Sequence, residues 1–133
     1  MRHKVKQAGL ERRVIVDSAG TADYHIGDKP HRGTRQKLTE YDISFDSILG
    51  RQLSADDLDD FDYIIAMDES NFRDISSLAS LENQHKIHML SDYVPGKQWA
   101  CGRAVPDPWF TGDFQQTYEL VEQGCEGLLQ ELL

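Results

Sequence analysis

The segment FDYIIAMDES, residues 61–70, restricts the fold more than any other stretch of the sequence. It holds an apolar run from Tyr63 to Met67 that ends on Asp68, which predicts a buried strand followed by a helix. Further strands are predicted at Arg13–Thr21, Ile48–Ser54 and His85–Tyr93. Because these strands alternate with helical patterns, the sequence predicts an α/β fold, a small doubly wound parallel sheet with helices on both faces.

The predicted helices carry recognisable start and stop signals. A first helix ends at Gly9, and a second, His31–Tyr41, follows Pro30. Ser54 with Asp57 three residues later is a capping-box pattern that predicts a short acidic helix. A helix is also predicted at Asn71–Leu81. The last helix has one apolar stripe, formed by Phe114, Tyr118, Val121, Cys125, Leu128, Leu129 and Leu132.

Length and charge exclude several classes of protein. With 133 residues, the chain is the size of one ordinary domain, so a single domain is predicted over residues 1–133. The formal net charge of −9 opposes binding to nucleic acid, and no apolar run is long enough to cross a membrane. Two cysteines make neither a disulfide framework nor a zinc site, and the histidines have no metal-binding spacing. No metal is expected, and the prediction is a cytoplasmic protein.

The segment VPDPWFTGDF, residues 105–114, holds Asp107 between an apolar residue pair and two aromatic side chains. An isolated Asp-Pro is usually a plain turn. The same arrangement also suits a general acid, because an apolar wall raises the pKa of a carboxyl group and keeps its proton available. Only the rest of the sequence can distinguish a plain turn from a general acid at Asp107.

Four segments in order, VDSAGT, DYHIG, FDYIIAMDESN and DPWF, closely resemble the low-molecular-weight protein tyrosine phosphatases. The resemblance covers essentially the whole chain. It implies a small doubly wound fold with a four-stranded parallel sheet. It also implies hydrolysis of phosphotyrosine in proteins, or of small aryl phosphates, through a phosphocysteine intermediate. The resemblance implies no metal or organic cofactor.

Carried over by position, the resemblance makes Asp107 the general acid that protonates the departing tyrosine oxygen. It implies that Tyr24, Trp109 and Phe110 form the slot for a phenyl ring, where Trp and Phe replace the tyrosine pair that is commoner in the family. The resemblance also implies that four further residues support the site from beside it without taking part in the chemistry: Asp68, Ser70, Asn71 and Ser18.

The chain departs from the family pattern at the nucleophile. The family has a C-x5-R-S loop, but the sixth residue after Cys101 is Asp107 and the sixth after Cys125 is Glu131. The segment MRHKVKQAG resembles the second half of the helix that follows that loop. We therefore expect the first central strand and the phosphate loop to be missing from these 133 residues.

Three functions remain open at this point. The first is a tyrosine phosphatase whose 133 residues alone are inactive. Its missing strand is replaced by a homodimer or an exchanged element, or by a rearranged sheet, or it is supplied by residues outside these 133, which is the favoured alternative. The second is a non-catalytic binding or regulatory module on the same fold. The third and least favoured is an arsenate reductase, because Cys125 is expected to be buried in the last helix and Cys101 to be an exposed spare thiol.

Overall fold

The structure is a computed structural model that describes residues 1–24, 26–94, 105 and 108–133, without the side chains of residues 109 and 110. In chain order its helices and strands are α1 (Arg2–Gln7), α2 (Arg32–Glu40), α3 (Ala55–Asp60), β1 (Ile64–Ala66), α4 (Glu69–Leu78), β2 (Ile87–Met89), α5 (Pro108–Thr111) and α6 (Phe114–Leu132). Two 3-10 helices, Leu81–Lys86 and Leu90–Tyr93, flank β2.

The two strands form a parallel pair with Ile64 opposite Ile87 and Ala66 opposite Met89. These four side chains lie on one face of the sheet and are buried with Leu58 of α3 and Ile75 of α4. The α/β class and the parallel sheet expected from the alternating pattern are confirmed. Leu58 is only 1% exposed, and complete burial of a leucine contributes about 1.5–3 kcal/mol.

Local signals fix the ends of several helices, as predicted. The carboxylate of Asp57 accepts hydrogen bonds from the backbone N–H of Ser54 at 2.8 Å and from its hydroxyl at 3.1 Å, which holds the start of α3. Gly9, just after α1, has a φ of +71°, a conformation that favours glycine.

The strand predicted at Arg13–Thr21 is wrong. Residues 14–16 have no regular secondary structure and no strand partner among the described residues, and Ile15 is 82% exposed. A strand forms only where a neighbour accepts and donates its backbone hydrogen bonds. Only Gly20, at the end of the segment, forms a parallel bridge, and it does so with Gln52. The strand predicted at Ile48–Ser54 is likewise reduced to this single bridge.

The C-terminal helix α6 packs on the second 3-10 helix and also contacts α1 and α2. Its buried residues are Leu120, Gly124, Cys125, Leu128 and Leu129. The predicted stripe is confirmed at Cys125, Leu128 and Leu129, whereas Phe114, Tyr118, Val121 and Leu132 are only half-buried. Lys4 of α1 fastens the two helices by ion pairs of 3.2 Å to Glu122 and 2.9 Å to Glu126. No helix of the described residues has the length and apolar character to cross a membrane.

Candidate active site

An open cleft of about 1200 Å³ lies between the loop that follows residues 14–16, the start of α2 and the start of α5. Ser18 and Tyr24 line it from the loop, and Pro108 lines it from α5. The side chain of Tyr24 is 84% exposed, so its ring is accessible to a ligand. Two of the predicted site residues, Ser18 and Tyr24, therefore share a cleft with the residue that directly follows Asp107 in sequence.

Backbone hydrogen bonds hold both ends of the loop that carries Tyr24. Gly20 donates to the carbonyl of Arg51 at 2.8 Å, and its own carbonyl accepts from the N–H of Leu53 at 2.8 Å. On the other side of Tyr24, Gly27 donates to Gly50 at 2.7 Å, and Gly50 donates to the residue-28 carbonyl at 2.7 Å. The loop is thereby positioned against residues 50–53, although Tyr24 itself projects to solvent.

Helix α2 begins at the cleft and is held against the start of α6. The Nδ1 atom of His31 accepts a hydrogen bond of 3.0 Å from the N–H of Gly33, which caps the helix. The imidazole of His31 stacks on the ring of Phe114 with 5.2 Å between ring centroids. A side chain at Gly33 would overlap the same ring, since its Cβ would lie 2.7 Å from the Cε1 atom of Phe114. This close approach fixes α2 relative to the cleft.

An ion network supports the floor of the cleft. Arg51 pairs with Asp57 at 2.9 Å and with Asp17 at 3.2 Å. The hydrogen bond from Arg51 lowers the pKa of the Asp57 carboxyl, although partial burial acts in the opposite direction. The same bond raises the pKa of Arg51. The charge of Arg51 is therefore already balanced by the protein.

The predicted support residues after β1 have a clear structural position. The carboxylate of Asp68 accepts a hydrogen bond of 2.7 Å from the N–H of Asn71 and caps α4. Ser70 lies exposed in the first turn of this helix. None of Asp68, Ser70 and Asn71 lines the cleft. One bond links this region to the segment before α5, because the N–H of Val105 donates to the carbonyl of Met67 at 2.8 Å.

Several predicted residues lie outside the description. Asp107 and Cys101 are not among the described residues, and Trp109 and Phe110 are described only as backbone within α5. Cys125 is buried in α6 as predicted, with 7% exposure.

Comparison with known proteins agrees with this architecture. A family model for the low molecular weight phosphotyrosine protein phosphatases matches residues 1–133. The chain belongs to this family.

Curated relatives in the family span most of the chain. The low molecular weight protein-tyrosine-phosphatase YfkJ of Bacillus subtilis is 47% identical over 124 residues, which is 93% of this chain and 78% of the relative. The low molecular weight protein-tyrosine-phosphatase PtpA of Staphylococcus saprophyticus is 33% identical over 135 residues, which is 100% of this chain and 81% of the relative.

Solved structures show the same fold. The crystal structure of YfkJ has a TM-score of 0.93 at 44% identity and covers 98% of this chain and 80% of that one. A protein tyrosine phosphatase of Entamoeba histolytica has a TM-score of 0.89 at 27% identity and covers 98% of this chain and 83% of that one. An arginine phosphatase of Drosophila has a TM-score of 0.87 at 32% identity and covers 98% of this chain and 84% of that one.

Some cleft residues of this low molecular weight phosphatase were missed by the sequence reasoning. Lys29, Arg32 and Arg35 all line the cleft, and His31 caps α2, the helix that carries Arg32 and Arg35. The HRGTR segment, with two arginines three positions apart, was the available signal. Among the described residues, no group of three or more His, Cys, Asp or Glu side chains could hold a metal ion.

Proposed function

We propose that this chain carries the general acid and the aromatic slot of a phosphatase that hydrolyses phosphotyrosine. Asp107 is the acid, and Tyr24, Trp109 and Phe110 hold the phenyl ring. Membership of the family and the names of its relatives support phosphotyrosine as the substrate. The structural observation that supports the proposal most directly is that Tyr24 and Pro108, which are distant in sequence, line one cleft.

The proposed chemistry has two steps. A thiolate attacks phosphorus, the bond between phosphorus and the tyrosyl oxygen breaks, and Asp107 gives its proton to that oxygen. Water then attacks the phosphocysteine, Asp107 takes a proton from the water, and phosphate leaves as the thiolate is restored. The acid is needed because the phenol has a pKa of about 10, so the phenolate is a poor leaving group near neutral pH.

The proposed nucleophile is not one of the two cysteines of these 133 residues. Neither Cys101 nor Cys125 has an arginine six positions later to clamp the phosphate, and Cys125 is buried in α6. We therefore expect the 133 residues alone to hydrolyse no aryl phosphate. The burial of Cys125 also argues against an arsenate reductase, which needs accessible cysteines.

Mass and activity together test this proposal. The protein is purified from its natural source, and its intact mass is compared with 15.2 kDa. If the mass exceeds 15.2 kDa and peptide mapping finds a C-x5-R-S segment, we expect aryl phosphate turnover, and Asp107→Asn should reduce kcat/KM for phenyl phosphate by about 100-fold or more. The reduction should be smaller for p-nitrophenyl phosphate, whose leaving group is far more acidic.

Other outcomes contradict the proposal. Turnover that vanadate inhibits, from protein with a measured mass of 15.2 kDa, would show that the 133 residues hold their own nucleophile. Equal losses of kcat/KM for both substrates in Asp107→Asn would remove the general-acid role, because kcat/KM reports only the steps up to departure of the phenol. A protein of 15.2 kDa that is a folded monomer and binds no phosphotyrosine would favour the non-catalytic module, which the absence of the C-x5-R pattern supports.

Further predictions about the setting of the chain belong to the same proposal. They are a single domain over residues 1–133, a cytoplasmic location, supporting roles for Ser18, Asp68, Ser70 and Asn71, and pairing of the sheet edge by a second copy or an exchanged element. Sedimentation at several protein concentrations distinguishes a monomer from a dimer.

A further inference from the structure

Three basic side chains line one side of the cleft that holds Tyr24 and Pro108. We call Lys29, Arg32 and Arg35 the basic wall. Basic residues are the minority in this chain, whose 14 lysines and arginines are outnumbered by 23 acidic residues. A cleft with three cations on one side therefore attracts anionic ligands against the net charge of the molecule.

The charges of the basic wall are not balanced by ion pairs within the described part of the protein. Among the described residues, none of Lys29, Arg32 and Arg35 forms an ion pair, in contrast to Arg51, which Asp17 and Asp57 neutralise. Two acidic residues come near the wall, and each is already engaged. Asp28 lines the same cleft and interacts with another group, and Glu40, beside Arg32 and Arg35 on the far side of α2, pairs with Lys37 at 3.0 Å.

Arg35 also has an unused hydrogen-bond donor. Its Nε atom is buried and has no hydrogen-bond partner among the described residues. Because Nε is buried, a ligand in the open cleft can reach only the terminal nitrogens of this guanidinium, and these can donate two parallel hydrogen bonds to the two oxygens of one carboxylate. The geometry of this group therefore suits a planar carboxylate better than a monodentate ligand.

The wall is held rigidly enough to select a ligand. Arg32 and Arg35 are three positions apart and so lie on neighbouring positions of one helical face. The His31 cap and the close approach of Gly33 to Phe114 fix this first turn of α2.

We propose that the basic wall binds the carboxylates of acidic residues next to phosphotyrosine in a substrate peptide. The inference rests on the proposed function, because it assumes that the phosphotyrosine ring lies in the slot beside Tyr24. Lys29 supplies a flexible cation, and the two arginines supply forked donors. The substrate class is then a phosphotyrosine peptide with aspartate or glutamate beside the tyrosine.

An NMR titration of the uniformly 15N-labelled protein tests the inference, because it detects weak binding and locates it. The protein is expressed with all of its natural residues, so that the phosphate-binding loop is included, and with Asp107→Asn, so that hydrolysis of the phosphopeptides is slow. The probes are a phosphotyrosine peptide with aspartates on both sides, the same peptide with alanines, and the unphosphorylated acidic peptide. We expect the acidic phosphopeptide to bind about 5–10-fold more tightly than the neutral one, from exposed ion pairs that contribute modestly each. Its shifts should include the amides of Arg32 and Arg35, and the advantage should shrink in 0.5 M salt.

Variants separate the wall from general electrostatics. Arg32→Glu and Arg35→Glu should each remove most of the acidic preference, and Arg35→Lys should restore only part of it because lysine lacks the fork. Arg12→Glu, at an exposed position that does not line the cleft, makes the same change in net charge and should preserve the preference.

The outcomes distinguish the two proposals. Equal binding of the acidic and neutral phosphopeptides, both with shifts at Tyr24, would overturn the basic wall and leave the proposed function intact. A preference that Arg12→Glu removes as fully as Arg35→Glu would also overturn it. A third outcome is that the unphosphorylated acidic peptide binds as tightly as its phosphorylated form. That result would show that the phosphate contributes nothing to binding, so the proposed phosphotyrosine site itself would be wrong.

Discussion

Gly127 of α6 is the position where a single methyl group should be most damaging. A Cβ atom there would overlap the carbonyl oxygen of Tyr93 and lie 2.7 Å from its carbonyl carbon. Tyr93 ends the second 3-10 helix, on which α6 packs. The obstacle is backbone, which cannot rotate aside as a side chain can.

Two opposing contributions set the size of the effect. In a helix interior, replacing glycine by alanine stabilises by about 1 kcal/mol, because glycine loses more freedom on folding. Overpacking a close contact costs typically about 1–3 kcal/mol, and a fixed carbonyl places this contact at the upper end. We therefore expect Gly127→Ala to lower the free energy of unfolding by about 2 kcal/mol. For a domain of this size, the melting temperature should fall by roughly 6–10 °C.

Thermal and urea unfolding followed by circular dichroism measures both quantities. Gln123→Ala is the matched control, because Gln123 is exposed on the same helix and its replacement should change the free energy of unfolding by less than about 0.5 kcal/mol. A higher melting temperature for Gly127→Ala would mean that helix propensity dominates. It would refute the close approach of α6 to the Tyr93 carbonyl.

Two pH effects follow from perturbed side chains. The pKa of Asp57 is lowered in the folded protein, so its contribution to stability is present above the pKa of the unfolded chain and is lost as pH falls through the folded pKa. Melting temperatures of Asp57→Asn and the parent between pH 2 and 6 should converge at the acidic end, and a constant difference would contradict this. Burial raises the pKa of Tyr93 to about 12, so stability should fall as pH rises from 10 to about 12. Tyr93→Phe should flatten that alkaline loss. Burial also raises the pKa of Tyr118, so ultraviolet titration of tyrosinate in the parent should show late ionisation from both phenols, and the variant should lose part of it. A late ionisation of unchanged size in the variant would contradict the raised pKa of Tyr93.

Sequence reasoning succeeded where the deciding interaction is local. The Ser54 and Asp57 pair and the stop at Gly9 depend on residues a few positions apart, and both were predicted. It failed at residues 14–16, since a β-branched run becomes a strand only if another segment pairs with it. The start of α2 was predicted to within one residue, but the capping role of His31 was missed because histidine is an unusual N-cap residue.

The cleft was only partly predictable for the same reason. Tyr24 was found from a motif, whereas Lys29 joins Arg32 and Arg35 only through the path of the loop. Asp68 was assigned to site support, and its observed contact is the cap of α4. The resemblance identified the right segments but did not state which side chain each segment presents to the cleft.

The ion pairs of Lys4 bear on the order in which the protein folds. Lys4 is separated by 118 and 122 residues from its two partners on α6. Contacts this distant require nearly the whole chain to be ordered first, because closing a long loop has an entropic cost that local helices do not carry. The parallel pair of β1 and β2, with α4 between them in sequence, can form without α1. Docking of α1 should therefore be a late event in folding, and release of α1 should be among the first openings detected by amide hydrogen exchange.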